Sequence, residues 1–184
     1  MYRFATLIVA AAFALPAIAA ERMLQKEVTV KSPLPAVWDA WTTTEGIKTF
    51  FAPDGHVEAR PDGPFQIYLN PYAEPGMKGA DDMHVLAVQP FQMLSYTWNA
   101  PPSLPEARKQ RTVVIIRFAS VSKDETRVTL TQVGWGDGGE WDKAYAYFDK
   151  AWDVVLGNLQ QRFVTGPVDW TEWLDRLKAR SASK

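Results

Sequence analysis

The sequence contains no cysteine, so it can build neither a disulfide framework nor a thiolate nucleophile, and the hydrophobic core alone must stabilise the fold. Only two histidines occur, His56 and His84, too few and too far apart to suggest a metal site or a catalytic triad. There is no excess of positive charge either: 20 Lys and Arg face 21 Asp and Glu, a formal net charge of −1, which offers no field for nucleic acid or anionic lipid. No G-x-S-x-G elbow is present, and "GWGDGG" lacks both the strand-loop-helix spacing and the Lys-Ser/Thr of a phosphate loop. Internal repeats and low-complexity runs are not found. Catalytic residues are therefore left unassigned, and no cofactor or metal is expected. Any chemistry would rest on polarisation by Tyr, His84 or Asp groups inside a dry pocket.

Long apolar runs are equally scarce, and the one that exists is at the start. Met1 to Ala20 has one cation, Arg3, then 17 uncharged residues ending in Pro16-Ala17-Ile18-Ala19-Ala20 before Glu21. That pattern predicts a secretory signal peptide over residues 1–20, with Ala17-Ile18-Ala19 as its A-x-A site and cleavage near Ala19-Ala20. The alternative, an uncleaved anchor helix, has only a short span broken by Pro16. A lipid anchor is excluded because no cysteine follows the run. The expected product is periplasmic or secreted, without stable membrane insertion. Loss of Arg3 leaves 19 basic against 21 acidic residues, a net charge of −2. One domain over residues 21–167 is expected, followed by a short helix and tail over residues 168–184.

Periodicity orders the elements. "KEVTVKS" alternates as a strand, and Ser32-Pro33 reads as an N-cap followed by proline at the first helical position. Leu34, Val37, Trp38 and Trp41 recur at helical spacing, and a second short helix follows in "TTEGIKTFF", capped by Thr43 or Thr44. From Gly55 to Trp135 five or six segments alternate or are β-branched between "RPDGP", "NPYAEPGMKGADD", "QPFQ", "NAPPSLPEARKQR" and "SKDET", which predicts an antiparallel sheet of hairpins. His56 falls in an expected turn. The loop from Asn70 is read as a mobile lid or a plain surface loop, and Arg108, Lys109 and Arg111 as a solvated tip.

A long helix then opens at Asp137-Gly138-Gly139-Glu140, a capping box, and stops at Thr165-Gly166-Pro167. Trp141, Ala144, Tyr145, Phe148, Trp152, Val155, Leu159 and Phe163 form one stripe, so one face must be buried against the sheet. The stripe is read as two things: its ends at Trp141 and Phe163 seal the sheet, while Tyr145 to Trp152 line a cavity. Asp169 with Glu172 opens a short terminal helix.

Strand, two short helices, antiparallel sheet and long helix in that order predict an α+β helix-grip fold, a curved sheet wrapped around the C-terminal helix. "PLPAVWDAWTTTEGIKTFFAP", "VQPFQMLSYTW", "TRVTLTQVGWGDGGEWDKAYAYFDKAWDVVLGNL" and "GPVDW" resemble the SRPBCC (START-like) superfamily, in the branch related to the heat-shock protein 90 ATPase activator C-terminal domain. The resemblance covers about Lys26 to Trp170. It implies the fold more than any activity, because the superfamily includes lipid carriers, antibiotic binders, cyclases and co-chaperone domains. Relatives in this branch often carry His where this chain has Gln132, which makes acid–base chemistry there less expected.

Strand parity assigns the inward faces: Phe65 and Ile67; His84, Leu86 and Val88; Leu94, Tyr96 and Trp98; Val114, Ile116 and Phe118; Val128, Leu130 and Gln132. In the second set Val85 and Ala87 fit equally well. The expected ligand wall is Phe65, Ile67, His84, Leu86, Tyr96, Trp98, Val114, Ile116, Gln132, Tyr145, Phe148 and Trp152, with His84 and Gln132 fixing a polar end. Three functions fit: an exported binder of a hydrophobic small molecule, a cavity-based enzyme on a cyclic or aromatic substrate, and a protein-interaction module.

Overall fold

The computed structural model describes residues 21–182; the expected signal segment and its cleavage site lie outside them. Strand β1 (Leu24–Val30) leads into helices α1 (Leu34–Thr42) and α2 (Thr44–Lys48), the two short helices the sequence predicts. Ser32 does not cap α1. Pro33 stands between it and the first turn, so its side chain is one residue too far away, and its carbonyl instead accepts from the Thr126 hydroxyl at 2.9 Å. Thr43 does cap α2, accepting the Gly46 N–H at 2.9 Å. Gly46 is required there, since a Cβ would overlap the Asp39 carbonyl oxygen where α2 folds back on α1.

Seven strands follow: β2 (Asp54–Val57), β3 (Phe65–Tyr68), β4 (Gly79–Ala80), β5 (Val85–Gln89), β6 (Met93–Trp98), β7 (Thr112–Ser122) and β8 (Glu125–Val133). All pair antiparallel, in a five-stranded sheet ordered β1-β8-β7-β6-β5 and a three-stranded sheet ordered β2-β3-β4. The two meet where Pro64 bridges His84, reinforced by Phe65 N–H to the Met83 carbonyl and Val85 N–H to the Gly63 carbonyl, both 2.8 Å. His56 lies in β2 rather than in a turn; its side chain is exposed, 3.4 Å from Glu58.

The parity assigned to β5 is corrected by its register. Val85 pairs with Tyr96 and Val88 with Leu94, and a bulge falls between Val85 and Ala87. Leu86 is the extra residue, so Val85 and Val88 share the inner face although three apart, which strict alternation cannot achieve. His84 and Leu86 therefore point outward, while Met83 and Val85 are buried.

A short helix, α3 (Pro105–Arg108), occupies what the sequence reads as loop, and α4 (Gly139–Thr165) is the long helix. The expected capping box at its start does not form, because Gly138 with φ of +70° is the N-cap and supplies no side chain. Glu140 instead reaches across to α3, accepting the N–H groups of Glu106 and Ala107 at 2.8 and 3.0 Å and so capping a different helix. The end matches expectation: Gly166, φ +104°, closes α4 with its N–H on the Arg162 carbonyl at 3.1 Å. The buried face of α4 is Ala144, Phe148, Trp152, Leu156 and Leu159; Leu156 takes the place expected for Val155, which is half-buried. Each fully buried side chain of this size contributes about 1.5–3 kcal/mol.

Helix α4 also covers the open edge of β1. The Tyr145 hydroxyl donates to the Met23 carbonyl (3.0 Å), the Gln160 amide to the Thr29 carbonyl (2.9 Å), and Lys26 meets Asp149 and Asp153 at 2.8 and 3.0 Å. The terminal helix α5 (Thr171–Ala182) follows; Asp169 accepts the Thr171 N–H at 2.9 Å, while Glu172 pairs with Arg176 instead of closing a capping box. Among the described residues no helix is long and apolar enough to cross a membrane.

Candidate functional site: a roofed pocket beside an aromatic core

The space between sheet and α4 is filled largely by rings. Phe51, Trp98 and Trp152 form a triangle with centroids 5.4 to 5.9 Å apart, Phe65 stacks on Tyr96 at 3.7 Å, and Phe148 stacks on Trp152 at 5.8 Å. Such contacts add about 0.5–1.5 kcal/mol per pair beyond burial. The aromatic stripe of α4 is therefore mostly packed core.

Of the residues assigned to the ligand wall, Phe65, Ile67, Tyr96, Trp98, Val114, Ile116, Gln132, Phe148 and Trp152 are buried. Tyr145 is half-buried beneath the Arg22 guanidinium at 4.1 Å. His84 and Leu86 stand on the outer surface, so neither can touch a ligand held inside, and His84 offers no acid–base group there. Nor does Gln132 present a free polar end. Its oxygen accepts the Trp152 indole N–H at 2.6 Å and its amide donates to the Thr112 hydroxyl at 2.9 Å, which donates in turn to the Trp98 carbonyl at 3.3 Å. It is a buried connector between helix and sheet.

The apolar pocket lies at one end of this core, about 220 Å³ in volume. Only Ile67, Trp98 and Phe148 of the expected wall reach it; Leu69, Asn70, Met77 and Lys78 from the β3–β4 connection, Gly79 and Ala80 of β4, Asn99, Pro101 and Pro102 after β6, and Tyr147 on α4 complete it. Sequence reading missed most of these because they sit in or beside Pro- and Gly-rich connections, where periodicity carries no information, and missed Tyr147 because it lies beside the apolar stripe of α4 rather than on it. The only available signal was the length of the 69–82 segment itself.

That segment is a pinned roof rather than a mobile lid. The guanidinium of Arg108 donates to the carbonyls of Ala100, Gly76 (2.6 Å) and Gly79 (2.8 Å) and lies 3.4 Å from Asp81. Asp81 accepts the N–H groups of Gly76 and Gly79, both at 3.0 Å. Gly79 permits the close approach: its φ is +152°, and a Cβ would lie 2.5 Å from the Ile67 carbonyl oxygen. Burial lowers the Arg108 pKa, opposed by Asp81. Arg108 is thus not part of a solvated tip, although Lys109, paired with Glu106 at 2.7 Å, is. The Trp173 indole N–H of α5 fastens the other side of the roof, 2.7 Å from the Leu69 carbonyl.

Several buried donors have no partner among the described residues: the indole N–H groups of Trp41 and Trp98 and the Tyr96 hydroxyl. Burial raises the Tyr96 pKa well above its ordinary value, so it stays protonated. No cluster of metal-ligating side chains exists among the described residues.

With this geometry in place, residues 31–163 match the family described as activator of Hsp90 ATPase homolog 1-like protein. The chain belongs to that family. The helix-grip fold and the Aha1-like branch of the SRPBCC superfamily are thereby established together. Similar solved structures include MLL2253 of Mesorhizobium loti (TM-score 0.63, 23% identity, 80% of this chain and 100% of that one). The Aha1 dimer of Colwellia psychrerythraea is similar at TM-score 0.57, with 17% identity over 79% of this chain and 98% of that one. CalU16 of Micromonospora echinospora follows at TM-score 0.58, 18% identity, 90% and 86%. No curated protein matches the chain. At these identities the Aha1-like neighbours share the architecture alone. The family match ends at residue 163, before α5, so the Trp173 contact on the roof lies outside it.

Proposed function

We propose that the chain binds an apolar small molecule in the roofed pocket, and that it does so after export. The pocket itself carries the binding reading: open, largely apolar space borders a core otherwise filled with rings, where protein interiors ordinarily pack to crystal density. A ligand burying roughly 200 Å² of apolar surface gains about 5 kcal/mol before association costs, which leaves millimolar affinity or weaker for a fragment.

The test is a titration with 4-phenylbutan-1-ol followed by protein NMR. Saturable shifts are expected at the Trp98 indole and the Met77 methyl. Met77 is about half exposed at the rim, so Met77→Glu should fold normally and weaken binding at least fivefold, whereas Val164→Glu, exposed far along α4, should not. Shifts that rise without saturation, or that ignore Met77→Glu, would remove the pocket as a binding site.

Export is supported by the uncharged run and A-x-A site of residues 1–20, with strand β1 starting at Leu24 and Arg22 already paired with Asp142 at 2.6 Å. The intact mass of protein recovered from expressing cells should begin near Ala20. A chain starting at Met1 would refute cleavage.

A further inference from the structure

We propose that the molecule the pocket accepts is a small amphipathic carboxylate, its aryl or alkyl body inside and its anionic head at Lys78 on the rim. This rests on the binding reading above and adds the ligand's polar chemistry to it.

The side-chain amide oxygens around the pocket already have partners. On the acceptor side, the Asn70 side-chain oxygen takes the Tyr72 N–H at 3.2 Å. Asn99, with its amide oxygen turned to Arg108, takes two guanidinium N–H groups at 3.1 and 3.2 Å. Four main-chain carbonyls are similarly engaged. Leu69 accepts from Trp173 (2.7 Å), Lys78 from the Asn70 N–H (2.8 Å), Gly79 from Arg108 (2.8 Å) and Pro101 from the Leu104 N–H (2.9 Å). Among the side chains of the lining, the groups left over are donors: the NH₂ of Asn70 and of Asn99, and the Lys78 ammonium. The rim hydroxyl of Tyr147 can act either way.

Lys78 supplies the sign. It is half-buried where the pocket meets the adjoining cleft of Tyr68, Asp81 and Asp82, its ammonium stands 5.1 Å from the Tyr68 ring centroid, and among the described residues no carboxylate lies within ion-pair distance of it. Asp81 is already satisfied by Arg108 and two backbone N–H groups, and Asp82, exposed in the cleft that Lys78 also borders, makes no ion pair with it. An apolar pocket whose few unpaired side-chain groups are donors, one of them a cation, favours an acceptor-bearing anion and disfavours amines, which would face like polarity. A single ammonium with neutral amides suits a monoanion. A phosphate dianion would leave charge unmatched by one ammonium, and the Arg108 fork that could add to it is occupied.

The experiment compares 4-phenylbutyrate with 4-phenylbutan-1-ol, which share a carbon skeleton, by titration at neutral pH and low salt. The acid should bind roughly tenfold tighter, and the advantage should shrink with added salt. Lys78→Met should cut the acid-to-alcohol ratio below about threefold, and Lys78→Arg should keep most of it. An alcohol that binds as well as the acid would overturn the carboxylate proposal and leave the pocket standing. An acid preference that survives Lys78→Met would overturn the rim assignment. Failure of both compounds to bind would overturn the binding reading along with it.

Discussion

Replacing Trp152 with alanine is expected to destabilise the protein by about 4–5 kcal/mol, the largest single effect in the molecule. The indole is almost wholly buried, touches the rings of Phe51, Trp98 and Phe148, and donates to Gln132. Its removal leaves a ring-sized cavity, which costs about 3–5 kcal/mol for Trp→Ala, and orphans the Gln132 oxygen, about 1–3 kcal/mol more where the site cannot relax. Against a total stability of about 5–15 kcal/mol, a large share of the molecules would unfold at modest urea concentrations. Trp152→Phe separates the two contributions, since it keeps most of the packing and loses only the N–H; a cost of about 1–3 kcal/mol is expected. A double-mutant cycle with Gln132→Leu should show strong non-additivity, because the second change removes an acceptor already orphaned by the first. Additive costs in urea denaturation would mean that helix and sheet are not joined through this hydrogen bond.

The second large effect is expected at Arg108. Arg108→Ala should cost about 2–4 kcal/mol, or roughly 5–12 °C in Tm, because one guanidinium serves three carbonyls and a carboxylate to which no other side chain donates among the described residues. The change is local as well as global. The amides of Gly76 and Gly79, held by Asp81, should exchange with solvent much faster once the roof loses its clasp. Arg108→Lys should recover only part of the loss, since a point charge cannot replace a planar fork. A variant within about 0.5 kcal/mol of the parent, with unchanged exchange at both glycines, would show that the roof holds itself.

These two residues also show how unevenly the site was legible beforehand. Trp152 was recognisable from helical spacing, and its burial followed, but its role changed from cavity wall to core once Phe51 was found against it. Phe51 comes from the chain after α2, about a hundred positions away, and no local pattern connects the two. Arg108 was assigned to a solvated tip because its neighbours Lys109 and Arg111 are charged; its partners lie near residue 76 and residue 100, in connections without any period. Glu140 failed in the same manner. Its capping motif was correct in composition, yet the carboxylate found better-placed donors on α3.

What the sequence determined by itself was the element order, the helix-grip architecture and most of the buried face. These follow from the two backbone periods, 3.6 and 2, and from Gly, Pro and Thr at element ends, all of which act within a few residues. Tertiary structure alone decided the rest: the bulge at Leu86 that turns His84 outward, the engagement of Gln132 with Trp152, and the confinement of the pocket to one end of the aromatic core beneath a pinned roof. Each depends on which distant segments meet and on which donors find acceptors first. Hydrogen bonding and close packing are settled only when the whole chain has closed around them.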